Sequence, residues 1–431
     1  MKTGEIIAIG SELLLGGRAD TNSLFLTDAL GTVGVEVRFK SVIGDDERDI
    51  ASAVRVAAGR ASVIVLTGGL GPTRDDRTRR AVARVTGRPL RRHAEALEGI
   101  RRRLAAWGRT PSASQLRQAL IPRGADMLPN PVGSAPGFCV LWKGRFLAAL
   151  PGVPVEAERM FTESVMPRLA KEAHAQDRTE RRLFHTFGLT EAEVDDRLKG
   201  LVPPAGRVHV GTLASPLGVT VSLTRCGGLT SPRLATLERT AEEIRTRLGS
   251  ALYGEGLETM EKIVGRLLVA GGLTLAVAES CTGGLIGHRL TEVPGSSSYV
   301  DRAVVCYSDR AKTELLGVPE DLIRRHGAVS AEVAAAMATG VRVRSGVSLG
   351  LSVTGIAGPG GGSDAKPVGL VYVGLAAGGD PLHSAEQRVP VALETREFHF
   401  HGERQAIKLR ASQAALNLLR LWLVTGGGRR T

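Results

Sequence analysis

The chain has 431 residues, 43% of them apolar and 23% charged, a balance that excludes wholesale disorder. At about 150 residues per domain, this length points to roughly three domains. Lys and Arg number 56 against 44 Asp and Glu, a formal charge of +12, while aromatic residues make up only 4%. The positive excess is spread along the chain and few rings are available to stack on bases. A solvated basic surface or an anionic small substrate therefore accounts for the charge better than nucleic acid does. No apolar run is long enough to span a bilayer and no signal-peptide core follows Met1, so a cytoplasmic protein without a membrane partner is expected. Cys139, Cys226, Cys281 and Cys306 form no C-x-x-C pair, which argues against a disulfide framework or structural zinc.

Residues 1–170 alternate strand and helix, the pattern of a layered α/β domain. Residues 4–9 read as a strand, with Asn22 as N-cap of the next helix. Residues 35–39 form the second strand, 46–58 the second helix, and 62–66 a buried parallel strand. A helix then starts near Asp75, residues 138–150 make a hairpin turning at Lys143-Gly144, and Pro154 opens a helix to about Ala173. A charged linker spans residues 171–182. Residues 180–254 are a small α+β domain with strands at 183–187, 208–212 and 219–224 and helices at 191–198 and 232–248. Residues 256–425 return to α/β, with strands at 273–278, 347–353 and 370–373 and a closing helix at 403–423. The tail from Gly426 is expected to be disordered.

The segment Ala278-Glu279-Ser280-Cys281-Thr282-Gly283-Gly284 is the most informative. A strand ends there and a helix begins at once, so a hydroxyl at the corner is exposed. The N–H groups behind it can hold an oxyanion or a phosphate. The same residues also fit an ordinary helix capped by Ser280 or Thr282. A serine nucleophile needs a base, and Tyr307 and Lys312 are the downstream candidates. Only nine of the 56 basic residues are Lys, and Arg cannot give up its proton, which singles out Lys312. Thr354-Gly355-Ile356-Ala357-Gly358-Pro359 follows a buried strand at the edge where α/β sheets bind ligands. With no helix behind it, this is a pocket wall and not a dinucleotide fingerprint. Arg404 opens the last helix and suits a phosphate, a carboxylate or a surface salt bridge.

Two N-terminal loops follow the first and third strands, Gly10-Ser11-Glu12 with Asp20-Thr21-Asn22 behind it, and Gly68-Gly69-Leu70-Gly71. Both fall at the carboxyl edge of a parallel sheet. The glycines offer N–H groups to phosphate, and Glu12, Asp75 and Asp76 offer oxygen ligands to a divalent cation. Asp75 and Asp76 also suit the cap of the following helix.

The third domain resembles the nicotinamide-nucleotide amidases that form the C-terminal unit of CinA-type competence/damage-inducible proteins. Besides the segments around Ser280 and Thr354, the likeness rests on Tyr307-Ser308 with Lys312, His326-Gly327-Ala328-Val329-Ser330, Lys366-Pro367-Val368-Gly369 and Gly402-Glu403-Arg404. It implies hydrolysis of the carboxamide of nicotinamide mononucleotide to nicotinate mononucleotide and ammonia, without metal or cofactor. On that likeness Ser280 is the nucleophile and Lys312 its base, and Tyr307 and Thr354 are polar residues beside the reacting centre. Thr282, Gly283, Gly284, Gly355 and Arg404 would surround the substrate. Glu403 departs from the family's usual Asp, and Asp309-Arg310 from its Asn-Glu.

The first domain resembles the three-layer, molybdopterin-binding-like half of the same proteins. Its two loops carry the likeness, with Asn130-Pro131, Gly133, Ala135-Pro136-Gly137 and Pro151-Gly152-Val153-Pro154. That implies a second, metal-dependent activity, an ADP-ribose pyrophosphatase. Gly68, Gly69, Gly71 and Asn22 would meet its substrate, and Glu12, Asp75 and Asp76 its divalent metal ion. Ser114-Gln115-Leu116-Arg117-Gln118 stands where the family carries Asn and an Arg-Lys pair. The middle domain resembles the family's KH-like unit but has no G-x-x-G loop flanked by basic residues. Both implied substrates are breakdown products of NAD, and the family implies a homodimer. The competing reading is a non-catalytic nucleotide-binding or DNA-uptake accessory protein, against which stand the intact Ser280 and Lys312.

Overall fold

The computed structural model describes residues 2–172, 180–201, 208–225, 231–378 and 392–426. Cys226, most of the charged linker and the tail beyond Gly426 lie outside the described residues. Contacts divide the chain into two compact units. One is Met1–Arg181 with Ala205–Val208 and Thr224–Arg239, and the other is Arg182–Pro204 with His209–Leu223 and Thr240–Thr431. No helix among the described residues is long and apolar enough to cross a membrane.

The first unit contains strands β1 (Lys2–Ile9), β2 (Val35–Ile43), β3 (Val63–Thr67), β4 (Leu90–Arg92), β5 (Leu120–Pro122), β6 (Asp126–Leu128), β7 (Gly137–Trp142) and β8 (Arg145–Leu150). Six of them form a sheet in the order β2-β1-β3-β8-β7-β6, and β4 pairs with β5 apart from it. Pairing is parallel from β2 through β8 and antiparallel at the β8-β7-β6 end. The helices are α1 (Ser11–Leu14), α2 (Asn22–Thr32), α3 (Glu47–Arg60), α4 (Thr78–Thr86), α5 (Ala94–Ala106), α6 (Ala113–Leu116), α7 (Pro154–Met160) and α8 (Met166–Glu172). A π turn, Phe161–Val165, joins the last two.

Alternation along the central strands explains the layers. Ile7, Ile64 and Leu66 pack with residues of α3 to α5, whereas Ile6, Val63 and Val65 pack with α2 and the segment after Pro154. Both faces of the sheet are therefore buried, the three-layer arrangement that parallel strands require. Two helix starts differ from expectation. Asn22 lies inside α2 behind the N-cap Thr21, because its amide donates to Gly152 O at 2.9 Å instead of capping. Helix α4 begins at Thr78 with Arg77 as N-cap, so neither Asp75 nor Asp76 caps it.

The second unit opens with most of the α+β segment: β9 (Glu180–Thr186), α9 (Glu191–Leu198), β10 (Val208–Ser215), β11 (Gly218–Arg225), α10 (Ser231–Leu248) and β12 (Leu252–Glu255). Its sheet runs β10-β11-β9-β12. Then follow α11 (Met260–Gly271), β13 (Leu275–Glu279), α12 (Leu285–Thr291), β14 (Val300–Val305), α13 (Asp309–Leu316), α14 (Glu320–His326) and α15 (Ala331–Ser345). The chain closes with β15 (Leu349–Gly355), β16 (Leu370–Ala377), β17 (Ala392–His399) and α16 (Arg404–Val424).

The second large sheet has the order β14-β13-β15-β16-β17, with β14, β13 and β15 parallel and the rest antiparallel. Leu275 and Val277 face a layer made by α11, α12 and α16, while Ala276 and Ala278 face one made by α13 to α15. Register pairs Glu279 with both Val305 and Val353. Ser280 and Cys306, just past β13 and β14, therefore stand level with Thr354, which is still within β15.

Candidate active site

That common edge gathers the C-terminal motifs. Ser280 N donates to Val353 O at 3.0 Å and Cys306 N to Glu279 O at 2.8 Å, so the exits of β15 and β14 are tied to the serine's turn. The turn closes through Gly283 N to Ser280 O at 3.1 Å. Gly283 and Gly284 have φ of 63° and 94°, left-handed values that favour glycine there. Ser280 is 7% exposed and Thr282 fully enclosed.

Glu279 decides how this turn works. Its carboxylate is completely buried. One oxygen accepts from Gly284 N at 3.0 Å and Ile286 N at 3.1 Å, the other from Gly287 N at 2.8 Å. The N–H groups opening α12, expected to serve a ligand, are thus taken by the protein's own anion, a favourable placement at a helix N-terminus. Among the described residues, Cys281 N and Thr282 N make no backbone hydrogen bond and remain the donors beside Ser280. Neither Ser280 nor Thr282 caps α12, whose N-cap is Gly284.

Lys312 comes from α13, a helix capped by Ser308 through its bond from Ala311 N. The side chain is buried, and Nζ donates to Tyr307 O at 3.1 Å with Asp309 at 3.9 Å. Burial pushes the Cys281 thiol up to about 12, with the positive charges of Lys408 and Lys312 opposing the rise. Burial likewise lifts Cys306 to about 11 against the pull of Lys312. Both thiols stay protonated near neutral pH.

Arg404 links two further motifs, donating to Gly358 O at 2.6 Å and to the Tyr307 hydroxyl at 3.1 Å. Tyr307 is 60% exposed at the rim. Thr354 sits at the sheet edge as expected, and its hydroxyl donates to Ala328 O at 2.8 Å, which ties the 326–330 loop to β15. Lys366 braces that loop too, through His326 O and Val329 O, each at 2.6 Å. A Cβ on Gly355 would stand 2.7 Å from Leu370 O, so Gly355 is required by strand packing. A cavity of about 690 Å³ adjoins the turn, lined by Thr282 to Leu285 and His288 on one side and by Glu403 to Gln405, Lys408 and Leu409 on the other.

In the first unit, the glycine loop is equally self-braced. A Cβ on Gly68 would lie 2.1 Å from Ile9 O, and one on Gly69 2.2 Å from the Thr78 hydroxyl. Asp76 accepts from Gly71 N at 2.7 Å, Thr73 N at 2.7 Å and the Thr73 hydroxyl at 2.6 Å. Asn22 reaches Gly152, whose Cβ position is 3.4 Å from Gly68 Cα, so Asn22 and Gly68 both border Gly152. The expected cation ligands do not form one group. Asp76 is occupied with its own loop, Asp75 is exposed, and the Glu12 carboxylate folds back beside Gly10. Among the described residues no group of three or more His, Cys, Asp or Glu is placed to hold a metal ion. The three carboxylates therefore do not fit the expected divalent site.

What the loop borders is mainly arginine. A cavity of about 600 Å³ is lined by Arg74, Arg77, Arg79, Arg80 and Arg117 with Thr73, Ser114, Glu47 and Asp76 among others. Burial pulls the Arg79 guanidinium down to about 10, with Asp76 opposing, and it donates to Leu70 O at 2.6 Å.

Sequence reasoning missed Glu279. A lone acid ending an apolar strand was the available signal.

Glu279→Ala leaves the buried Ile286 and Gly287 N–H groups without a partner, a cost on the order of 3 kcal/mol. Thermal denaturation should show a lower melting temperature, with Glu279→Gln in between; an unchanged temperature would remove Glu279 as the brace of the turn.

The comparisons agree with the architecture. Residues 5–171 match the family model described as "Probable molybdopterin binding domain", residues 181–254 the damage-inducible protein CinA KH domain, and residues 257–423 the CinA C-terminal domain. A CinA-like protein of Geotalea uraniireducens is 40% identical over 419 residues, covering 97% of each chain. One of Geobacter sulfurreducens is 41% identical over 419 residues, covering 97% of this chain and 98% of its own. A crystal structure of CinA from Thermoplasma acidophilum is 35% identical, covers 39% of this chain and 96% of that one, and superposes with a TM-score of 0.36. With its three segments in order and relatives alike over nearly their whole length, the chain belongs to the CinA family.

Proposed function

We propose that the C-terminal segment hydrolyses the carboxamide of nicotinamide mononucleotide, giving nicotinate mononucleotide and ammonia. The observation that carries this reading is the register that brings Ser280 and the Tyr307–Lys312 segment out of adjacent parallel strands at one level. Ser280 Oγ attacks the amide carbon while the Lys312 amine takes its proton. The carbonyl electron pair moves onto oxygen, where Cys281 N–H and Thr282 N–H hold the charge. Collapse breaks the C–N bond, the nitrogen leaves as ammonia with the proton from Lys312, and a nicotinoyl ester remains on Ser280. Water then attacks the ester, Lys312 takes the water proton and returns it to Ser280 Oγ, and the carboxylate is released.

For the first unit we propose binding and cleavage of ADP-ribose. The arginine-lined cavity beside the Gly68–Gly71 loop favours it, since a diphosphate is the ligand five guanidinium groups suit. Two of these arginines are direct tests: Arg80→Ala and Arg117→Ala should each weaken ADP-ribose binding roughly tenfold by calorimetry, even with chelator present. Binding unaffected by either would end this reading.

The amidase is tested by ammonia release from nicotinamide mononucleotide in chelator. Ser280→Ala should abolish it, and Lys312→Met should lower kcat by roughly 10²–10⁴ without loss of fold. A Lys312→Met protein that keeps the full rate would exclude Lys312 as the base.

A further inference from the structure

The second unit holds another cavity, of about 340 Å³, that the amide chemistry does not use. It is lined from β9 to β11, from the segment around β12 and the start of α11, and by Arg289 of α12 and Gln413 of α16. None of its lining residues is shared with the cavity beside the Ser280 turn. Leu217, Leu257 and Met260 make part of the wall apolar, and His185 and Tyr253 make part of it aromatic. The two rings stack with centroids 5.9 Å apart. His185 is held in place through Thr220 Oγ1 at 3.1 Å and Gly256 O at 2.8 Å. The volume is at the small end for ligand pockets and suits one or two rings.

Polar groups in this wall lack partners. Gln413 is completely buried, and its Oε1 accepts from Arg289 Nη2 at 2.6 Å. A guanidinium only donates, so this bond fixes which way the amide points. Among the described residues Gln413 Nε2 then has no hydrogen-bond partner, the neighbouring Tyr253 phenol included. Thr259 is a second case. It is the N-cap of α11 yet makes no side-chain capping bond, and its buried Oγ1 is unpartnered, with Glu261 close by. A buried donor left unmet costs free energy that a ligand acceptor would return.

The charges on the lining are already paired. Arg289 meets Glu261 at 2.7 Å, and Glu258 accepts from Arg266 at 2.7 Å. An anion would face two carboxylates for one guanidinium, and a cation would find both carboxylates engaged. The wall therefore favours a neutral ligand.

We propose that this cavity is a second binding site, for a neutral, flat heteroaromatic molecule whose edge carries a carbonyl acceptor beside an N–H donor. The carbonyl takes the Gln413 Nε2 hydrogen, the N–H group donates to Thr259 Oγ1, and the ring lies among Tyr253, His185 and the apolar side chains. Aromatic carboxamides and nucleobases share this edge. The assignment does not depend on the amidase reading.

Calorimetry on the full chain tests it with nicotinamide, uracil and nicotinate. Nicotinamide or uracil should bind, and nicotinate, the same ring with a carboxylate, at least tenfold more weakly. Binding by nicotinamide alone identifies the carboxamide as the recognised source, and binding by uracil alone the nucleobase. Gln413→Glu keeps the acceptor for Arg289 but turns the free donor into an acceptor, and should weaken binding at least tenfold. Thr259→Val removes the hydroxyl at nearly constant volume and should weaken it severalfold, with an unchanged melting temperature. Ser280→Ala and Arg404→Ala should leave the affinity as it is. Binding of neither neutral probe, equal binding of nicotinate, or an affinity lost in Ser280→Ala or Arg404→Ala and kept in Gln413→Glu and Thr259→Val would overturn the proposal.

Discussion

The buried carboxylate of Glu279 is the constraint on which the C-terminal site depends. It ends the central strand, enters the N-terminus of α12 and takes three of the N–H groups there. A buried anion is tolerable only when hydrogen-bonded in this way. In return the turn from Ser280 to Gly284 has one geometry, and the two glycines adopt the left-handed conformations it needs. The Ser280 hydroxyl is thus positioned by a rigid element before any ligand arrives, the preorganisation that the proposed acyl transfer would use.

The N-terminal loop repeats the device with different parts. Asp76 ties Gly71 and Thr73 from below, as Glu279 ties Gly284 to Gly287. In both loops an acid that reads as ligand-facing serves the backbone. The two sites then diverge in what they leave for a ligand: beside Ser280 a buried lysine and two turn N–H groups, beside Gly71 a wall of arginine. The proposed nucleotide carboxamide is matched to the first and the proposed diphosphate to the second.

Much of this was legible in the sequence. Apolar runs at the central strands marked the layered α/β class, Lys143-Gly144 marked the hairpin, and the motifs around Ser280, Tyr307, Lys312 and Thr354 fall at one edge of the second sheet. Side-chain destinations were not legible, because they depend on neighbours far along the chain. Asn22 looks like a helix cap but turns to Gly152, 130 residues away. Thr354 lies on the right edge, yet Ala328 takes its hydroxyl. Glu12, Asp75 and Asp76 share a composition suited to a cation and are drawn to three different surroundings.

The central claim is that Ser280 carries the acyl group between ammonia release and hydrolysis, and trapping with hydroxylamine tests it most directly. An acyl-enzyme partitions between water and the added nucleophile. Nicotinamide mononucleotide should therefore yield the hydroxamate in proportion to hydroxylamine, and Ser280→Ala should yield neither hydroxamate nor acid. Ammonia release accompanied by acid alone, at every hydroxylamine concentration, would contradict a covalent route through Ser280.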